Sequence, residues 1–408
     1  MIPLDWLYDP ASGRDGLCLL ARLVVAPWSK EGLDREAAGR GFNGLLLPSA
    51  EMFGYSRKSA AVHRRRLLLL AKQSSSLWEA DVNFCTQSFP CGGQAEALAL
   101  FAGRRTDRET ALREEFVSIS GLTIIGEAIN DSVPSTKRLF DANDIDGILE
   151  LARTQDEKGA AYIDVNVGPR SPDFMAEIVR RIQAVTAKPL SIDTPDVEIA
   201  RAGLEAYDLD RAGGQRPILN SISPLRTAMF ELMAIQPFRP ILLVSERVEN
   251  GASRPCRTAE ETYEAARFLL AAARNAKPSL ANADCIIDPG IAPIGSDAEG
   301  NLARLLAAME LIHKDPDFAG IHMSVGLSNF TVMLPPKRAD GSPVKGPLES
   351  AFLTKAMPLG LDMIIGSVKR KYEILPPDHP AVQCLEDCVR QPGFEAIMRV
   401  RQFYSSAN

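Results

Sequence analysis

Short apolar runs in the second two-thirds of this chain keep stopping at a carboxylate or an amide, and that recurrence limits the folds open to it. The clearest case is Asp284-Cys285-Ile286-Ile287-Asp288-Pro289-Gly290. Ile286 and Ile287 suit a strand buried on both faces, Asp288 cannot be buried cheaply without a partner, and Pro289-Gly290 stops regular structure. Further strands are read at Leu122 to Ile125, Ala161 to Val165, Leu190 to Thr194, Pro217 to Ser221, Pro240 to Ser245, Ile321 to Gly326 and Leu361 to Ile365, most of them with such a polar residue at or just past the end. Helical periodicity fills the spaces between them. Ile145, Ile148, Leu149 and Ala152 share one face, and Gly159 closes that helix. Phe174 to Val185, a segment ending near Gly203 to Ala206, Leu302 to Ile312 and Leu348 to Met357 also read as helices. Thr258-Ala259-Glu260-Glu261 is a capping box opening a long Ala-rich helix, and a helical region runs to about Phe403. About eight strand–helix units over roughly 280 residues predict an α/β chain folded as a (β/α)8 TIM barrel. A doubly wound open sheet is the competing topology, but it would more often carry a Gly-rich phosphate fingerprint, which this region lacks.

Residues 1–116 read differently, as an irregular N-terminal extension, with the barrel assigned to residues 117–408. All three tryptophans, the basic run Arg64-Arg65-Arg66 and a short amphipathic stretch at Ala95 to Ala102 lie there, without sustained strand–helix alternation. Three arginines are more often a solvated helix end than a binding patch. No methionine falls between Met52 and Met175. The segment is therefore expected to be poorly ordered, or to begin upstream of the true start. A net charge of -6 disfavours non-specific nucleic-acid binding. No apolar run approaches the roughly 20 residues needed to span a bilayer. Seven cysteines without C-x-x-C spacing fit a reducing cytoplasm.

If the strands close into a barrel, their C-terminal ends converge on one face, where the chain places Asn130, Asp164, Asn166, Asp193, Asn220, Asp288 and Asn329. That set holds neither the lysine of a Schiff-base enzyme nor the histidines of a zinc site, so no metal is expected. The four histidines are scattered, and His322, inside a strand, reads as a satisfied core residue. Asp or Asn at a strand end often caps the following helix, but capping alone would equally use Ser, Thr and Gly. Amides and carboxylates also complement a flat heterocycle whose donors and acceptors lie in one plane, and one carboxylate can accept a fork of two N–H groups.

The motifs I-I-G-E-x-I-N at 124–130, D-V-N-V-G-P at 164–169, S-I-D-T at 191–194, I-L-N-S at 218–221, I-I-D-P at 286–289 and G-L-S-N at 326–329 together resemble the pterin-binding barrel family. They are most similar to the methyltetrahydrofolate:corrinoid methyltransferases, over about Leu122 to Ile397. The resemblance implies transfer of a methyl group between N5 of tetrahydrofolate and the cobalt of a corrinoid, in a direction the motifs leave open. It implies that Asp193, Asn220 and Asp288 hold the pterin, that Asp164 and Asn166 support them, and that Asn329 contacts N5, with Asn130 at the same rim. Asn329, a neutral amide able to donate or accept, and Asp193, acting through a water, are the residues implied in catalysis. The chain lacks a D-x-H-x-x-G corrinoid-ligating motif, Asp378-His379-Pro380 not fitting it, so cobalamin is expected on a separate corrinoid protein. A homodimer is implied by the family only. Ala128, where relatives often carry a basic residue, and the long segment after Asn329 depart from the family pattern and bear on lid and partner contacts. Dihydropteroate synthase is the rival within the superfamily. The loops Gly168-Pro169-Arg170-Ser171-Pro172 and Ser328-Asn329-Phe330 lack its Arg-Lys pair, which would stabilise a departing pyrophosphate. A non-catalytic folate-binding subunit is the second alternative.

Overall fold

The computed structural model describes residues 119–405, and the expectations for residues 1–116 lie outside them. Eight parallel strands close a barrel: β1 (Thr123–Asn130), β2 (Tyr162–Asn166), β3 (Leu190–Asp193), β4 (Ile218–Ile222), β5 (Arg239–Leu243), β8 (Ile286–Asp288), β9 (His322–Gly326) and β10 (Leu361–Gly366). Around the barrel they follow the order β1-β10-β9-β8-β5-β4-β3-β2. β6 (Glu246–Glu249) and β7 (Ala252–Pro255) form a separate hairpin after β5. The expected TIM barrel is the fold observed.

Outside the strands lie α1 (Pro134–Asp141), α2 (Ile145–Glu157), α3 (Pro172–Gln183), α4 (Val197–Ala206), α5 (Ala259–Ala276), α6 (Asn301–Lys314), the single turn α7 (Leu327–Phe330), α8 (Lys345–Ala356), α9 (Pro380–Arg390) and α10 (Phe394–Ser405). Between β4 and β5 the chain makes 3-10 turns over Thr227–Ala234 in place of a regular helix. The predicted apolar stripes account for the helix docking, since Ile148, Leu149 and Ala152 of α2 are all buried. Gly159 takes a φ of 83° after α2, as its capping position demands. The predicted capping box is only half formed. Thr258 Oγ1 accepts from Glu261 N at 3.2 Å, but Glu261 reaches back to Arg257 N instead of Thr258 N.

Two features differ from expectation for identifiable reasons. β1 continues past Ile125 to Asn130 through an irregularity between Gly126 and Ile129. Gln155 of α2 supports that bulge by accepting from Ala128 N at 2.9 Å. A Cβ on Gly126 would stand 2.5 Å from Gln155 Oε1, so glycine is what admits this side chain. The β6–β7 hairpin was not anticipated, although its turn, Asn250-Gly251, is a strong hairpin signal. Both turn residues have positive φ, 52° and 77°.

Two apolar compartments hold the barrel. The larger joins the strands to the surrounding helices. The smaller consists of Ile125, Tyr162, Ile218, Ile241, Ile286 and Met363, and it plugs the barrel interior. Burying each of these aliphatic side chains stabilises the fold by about 1.5–3 kcal/mol. Among the described residues no helix is long and apolar enough to cross a membrane.

Candidate functional site

Alternation along the strands carries the argument from this apolar plug to the polar residues above it. Two residues beyond an inward-facing residue, the next side chain faces inward again. From Ile125, Tyr162, Ile218 and Ile286 this step leads to Glu127, Asp164, Asn220 and Asp288, which therefore form a polar layer over an apolar floor. Register extends the layer sideways. Asn130 pairs with Asn166, Val165 with Ile192 one step earlier, and Asp193 with Asn220, placing Asn130, Asn166, Asp193 and Asn220 at one height.

Four of the expected residues meet directly. Asn166 Nδ2 donates to Asp193 Oδ2 at 2.8 Å, and Asn220 Nδ2 approaches Asp164 Oδ1 at 3.5 Å. Asn166 Oδ1 accepts from Gly168 N at 2.9 Å, which fixes the amide so that its NH2 faces Asp193. Burial raises the pKa of Asp164 well above the usual carboxylate range, and the neighbouring Asp193 charge raises it further. Burial also raises Asp193, though the Asn166 bond opposes it. Asp164 Oδ2 and Ser191 Oγ are buried beside each other, and neither completes a well-aligned hydrogen bond.

The remaining three expected residues occupy other sectors of the same rim, with no hydrogen bond to that group. Asp288 is buried and accepts from Gly290 N at 2.7 Å. Burial pushes its carboxyl up to about 6, although the Arg304 guanidinium nearby works the other way. Asn130 spends its Oδ1 on a turn, accepting from Ser132 N at 2.9 Å and Ser132 Oγ at 2.7 Å. Asn329 is exposed on α7.

Three residues at this end, Arg304 and Glu349 buried and Glu127 partly buried, went unread in the sequence. Arg304 of α6 holds the turn after β8, donating to Pro289 O and Gly290 O at 3.1–3.2 Å. Glu127 accepts from Ser328 Oγ, and burial raises its pKa. Glu349 of α8 is fully buried, accepts from Thr331 Oγ1 at 2.5 Å and faces Arg370 Nε at 3.0 Å. Inward parity from Ile125 would have found Glu127, whereas nothing local marks Arg304 or Glu349. His322 also differs from expectation. It is half-buried at the opposite, N-terminal end of β9, and its Nδ1 lies 2.6 Å from Asp362 Oδ2, so a carboxylate rather than the core satisfies it. Among the described residues no cluster of His, Cys, Asp or Glu is arranged to hold a metal ion.

Glu349 allows a test of this electrostatics. Burial raises its pKa from 4.5 to about 7 against the opposing pull of Arg370. A raised acid binds its proton more tightly folded than unfolded, so its contribution is fully present below about pH 4.5 and lost as pH rises through about 7. At about 1.4 kcal/mol per pKa unit the whole loss is about 3–4 kcal/mol, and about 2–3 kcal/mol of it falls between pH 5 and pH 8. Urea unfolding at pH 5 and pH 8 is expected to show the wild type losing stability with pH and Glu349→Gln losing less by that amount. Equal losses in the two proteins refute the assignment.

Comparison with known proteins fits this geometry. Residues 128–366, more than half of the chain, match the sequence model described as pterin binding enzyme. The chain belongs to the pterin binding enzyme family. Within this family it is similar to the methylcorrinoid:tetrahydrofolate methyltransferase of Eubacterium limosum, with 26% identity over 251 residues, 60% of this chain and 84% of that protein. Among solved structures, it is similar to the dihydropteroate synthase of Yersinia pestis, at 18% identity and a TM-score of 0.41, over 65% of this chain and 92% of that one. The Xanthomonas albilineans dihydropteroate synthase with 4-aminobenzoic acid gives 18% identity and 0.41, over 66% and 93%.

Proposed function

We propose that this pterin binding enzyme transfers a methyl group between N5 of tetrahydrofolate and the cobalt of a corrinoid carried by a separate protein. The observation that carries the reading is the polar layer above the apolar floor. Asp164 Oδ2 and Ser191 Oγ, which complete no well-aligned hydrogen bond, leave capacity where a planar ring with edge donors and acceptors would sit. Asp193, Asn220 and Asp288 would hold such a ring by its edges, with Asp164 and Asn166 fixing the first two and Asn130 shaping the rim. The folate supplies N5 and the corrinoid supplies the metal between which the methyl group would pass, in either direction.

The chain's own part is orientation and charge. Asn329, exposed above the layer, would donate to neutral N5 and turn to accept from its proton, and the accepting contact strengthens as positive charge develops there. Asp193 would supply negative charge through a water. Holding the ring in one pose lowers the entropic part of the barrier, by about 7–11 kcal/mol in favourable cases. The name of the Eubacterium limosum relative supports both substrates. The homodimer and the cytoplasmic location belong to the same proposal, and the free, buried state of Cys256, Cys285, Cys384 and Cys388 supports a reducing compartment.

Against pyrophosphate chemistry stands Arg170 in the loop after β2. Its guanidinium is already neutralised by Asp131 and Asp141 at 2.6 Å each, and it lies over the Phe140 ring at 4.7 Å. A cation engaged in this way is not available to a leaving group. The deciding experiment mixes the full chain with 5-methyltetrahydrofolate and cob(I)alamin, and follows methylcobalamin by absorbance. Formation well above the protein-free rate is expected. Folate binding without turnover would favour the non-catalytic subunit, and pteroate formation from p-aminobenzoate the synthase.

A further inference from the structure

The single turn that carries Asn329 is held from both sides by acids, Glu349 fully buried and Glu127 partly buried. Leu327 and Phe330 of α7 point into the core, and Phe330 packs on Phe352 of α8 with ring centroids 5.2 Å apart. That anchors the base of the turn but leaves its azimuth to the polar residues. Ser328, immediately before Asn329, donates to Glu127 at the inner end of β1. Thr331, two residues after Asn329, donates to Glu349 of α8 at 2.5 Å, within the range of hydroxyl–carboxylate bonds. Arg370, in the segment after β10, holds Glu349 from its other side at 3.0 Å. β1, β10 and β9 are consecutive in the barrel, so the contacts tie three neighbouring strand ends across one sector of the mouth. Nothing in the proposed pterin contacts uses Glu349 or Thr331.

We propose that Glu127 and Glu349 are positioning residues: through Ser328 and Thr331 they fix the turn and thereby the direction in which Asn329 presents its amide. This rests on the role proposed above for Asn329. One fully buried and one partly buried acid, both raised by desolvation, are an expensive way to fold a four-residue turn whose apolar side chains already anchor it. They are intelligible if the turn must hold one orientation closely, because misplacement of a reacting group by about 1 Å costs on the order of 100-fold in rate.

The test uses the full-length protein with Ser328→Ala, Thr331→Val, their combination, and the hydroxyl-retaining Ser328→Thr and Thr331→Ser. Each hydroxyl bond removed is expected to lower the single-turnover rate by about three- to tenfold, while folate affinity changes by less than about threefold. The hydroxyl-retaining variants are expected to recover most of the rate. In the double variant, amide hydrogen exchange at residues 327–332 is expected to quicken about tenfold or more, reporting release of the turn. Wild-type rate and exchange in the double variant overturn the proposal. So does a loss of folate affinity as large as the loss of rate, which would place these hydroxyls in binding instead. Should the wild-type protein transfer no methyl group, the proposed function fails, and unchanged exchange at 327–332 then rejects the clamp independently.

Discussion

Alanine in place of Asn329 is expected to slow single-turnover methyl transfer by about 100- to 1,000-fold, the usual cost of deleting one pre-positioned hydrogen-bond partner of a developing charge. Folate affinity is expected to stay within about threefold, because a contact that matters chiefly in the transition state contributes little to ground-state binding. The structure makes this separation clean. Asn329 is exposed and makes no hydrogen bond to Asp164, Asn166, Asp193 or Asn220, so its removal leaves their network intact. Stopped-flow measurement of methyl transfer beside equilibrium folate titration reads both quantities. A rate unchanged in Asn329→Ala eliminates the role assigned to it.

The second large effect is expected at Asp288, where binding and stability should move in opposite directions. Asp288→Asn keeps an oxygen for Gly290 N but cannot accept two N–H groups in a fork. Loss of a charge-assisted fork inside a buried site is expected to weaken folate binding by about 100-fold. The folded protein should gain. Burial raises this carboxyl from 3.8 to about 6, so ionising it in the folded state costs stability as pH rises through that value. At pH 8 the neutral amide avoids a cost of up to about 3 kcal/mol. Calorimetric titration with methyltetrahydrofolate and thermal unfolding of the apo protein at pH 8 should therefore give weaker binding with a higher melting temperature. A variant that binds as tightly as wild type shows that Asp288 is not a ring contact.

The strand ends were legible because each is a local event: an apolar run, then one polar residue, then a turn former. Asp193 and Asp288 end their strands in this manner, whereas Asn220 lies within β4. Asp164 was legible for the same reason, although it lies within β2 and Asn166 ends it. Glu127 was passed over because Gly126 makes the strand look finished at Ile125, and only Gln155, brought in from α2, shows why it continues. Glu349 and Arg304 sit in helices whose sequences do not distinguish them from surface residues. Their burial is decided by what packs against them, Thr331 and Arg370 in one case and the Pro289-Gly290 turn in the other. Asn130 shows the converse: the residue type was right for the rim, yet its side-chain oxygen is occupied by its own turn.

Because Ile125, Tyr162, Ile218, Ile241, Ile286 and Met363 stopper the barrel from below, the acids and amides above them have a single doorway. Whatever small molecule settles there must arrive and depart through the same opening that a second reactant would cover. Traffic through such a vestibule is compulsorily sequential, with the smaller guest first in and the larger one closing the entrance behind it.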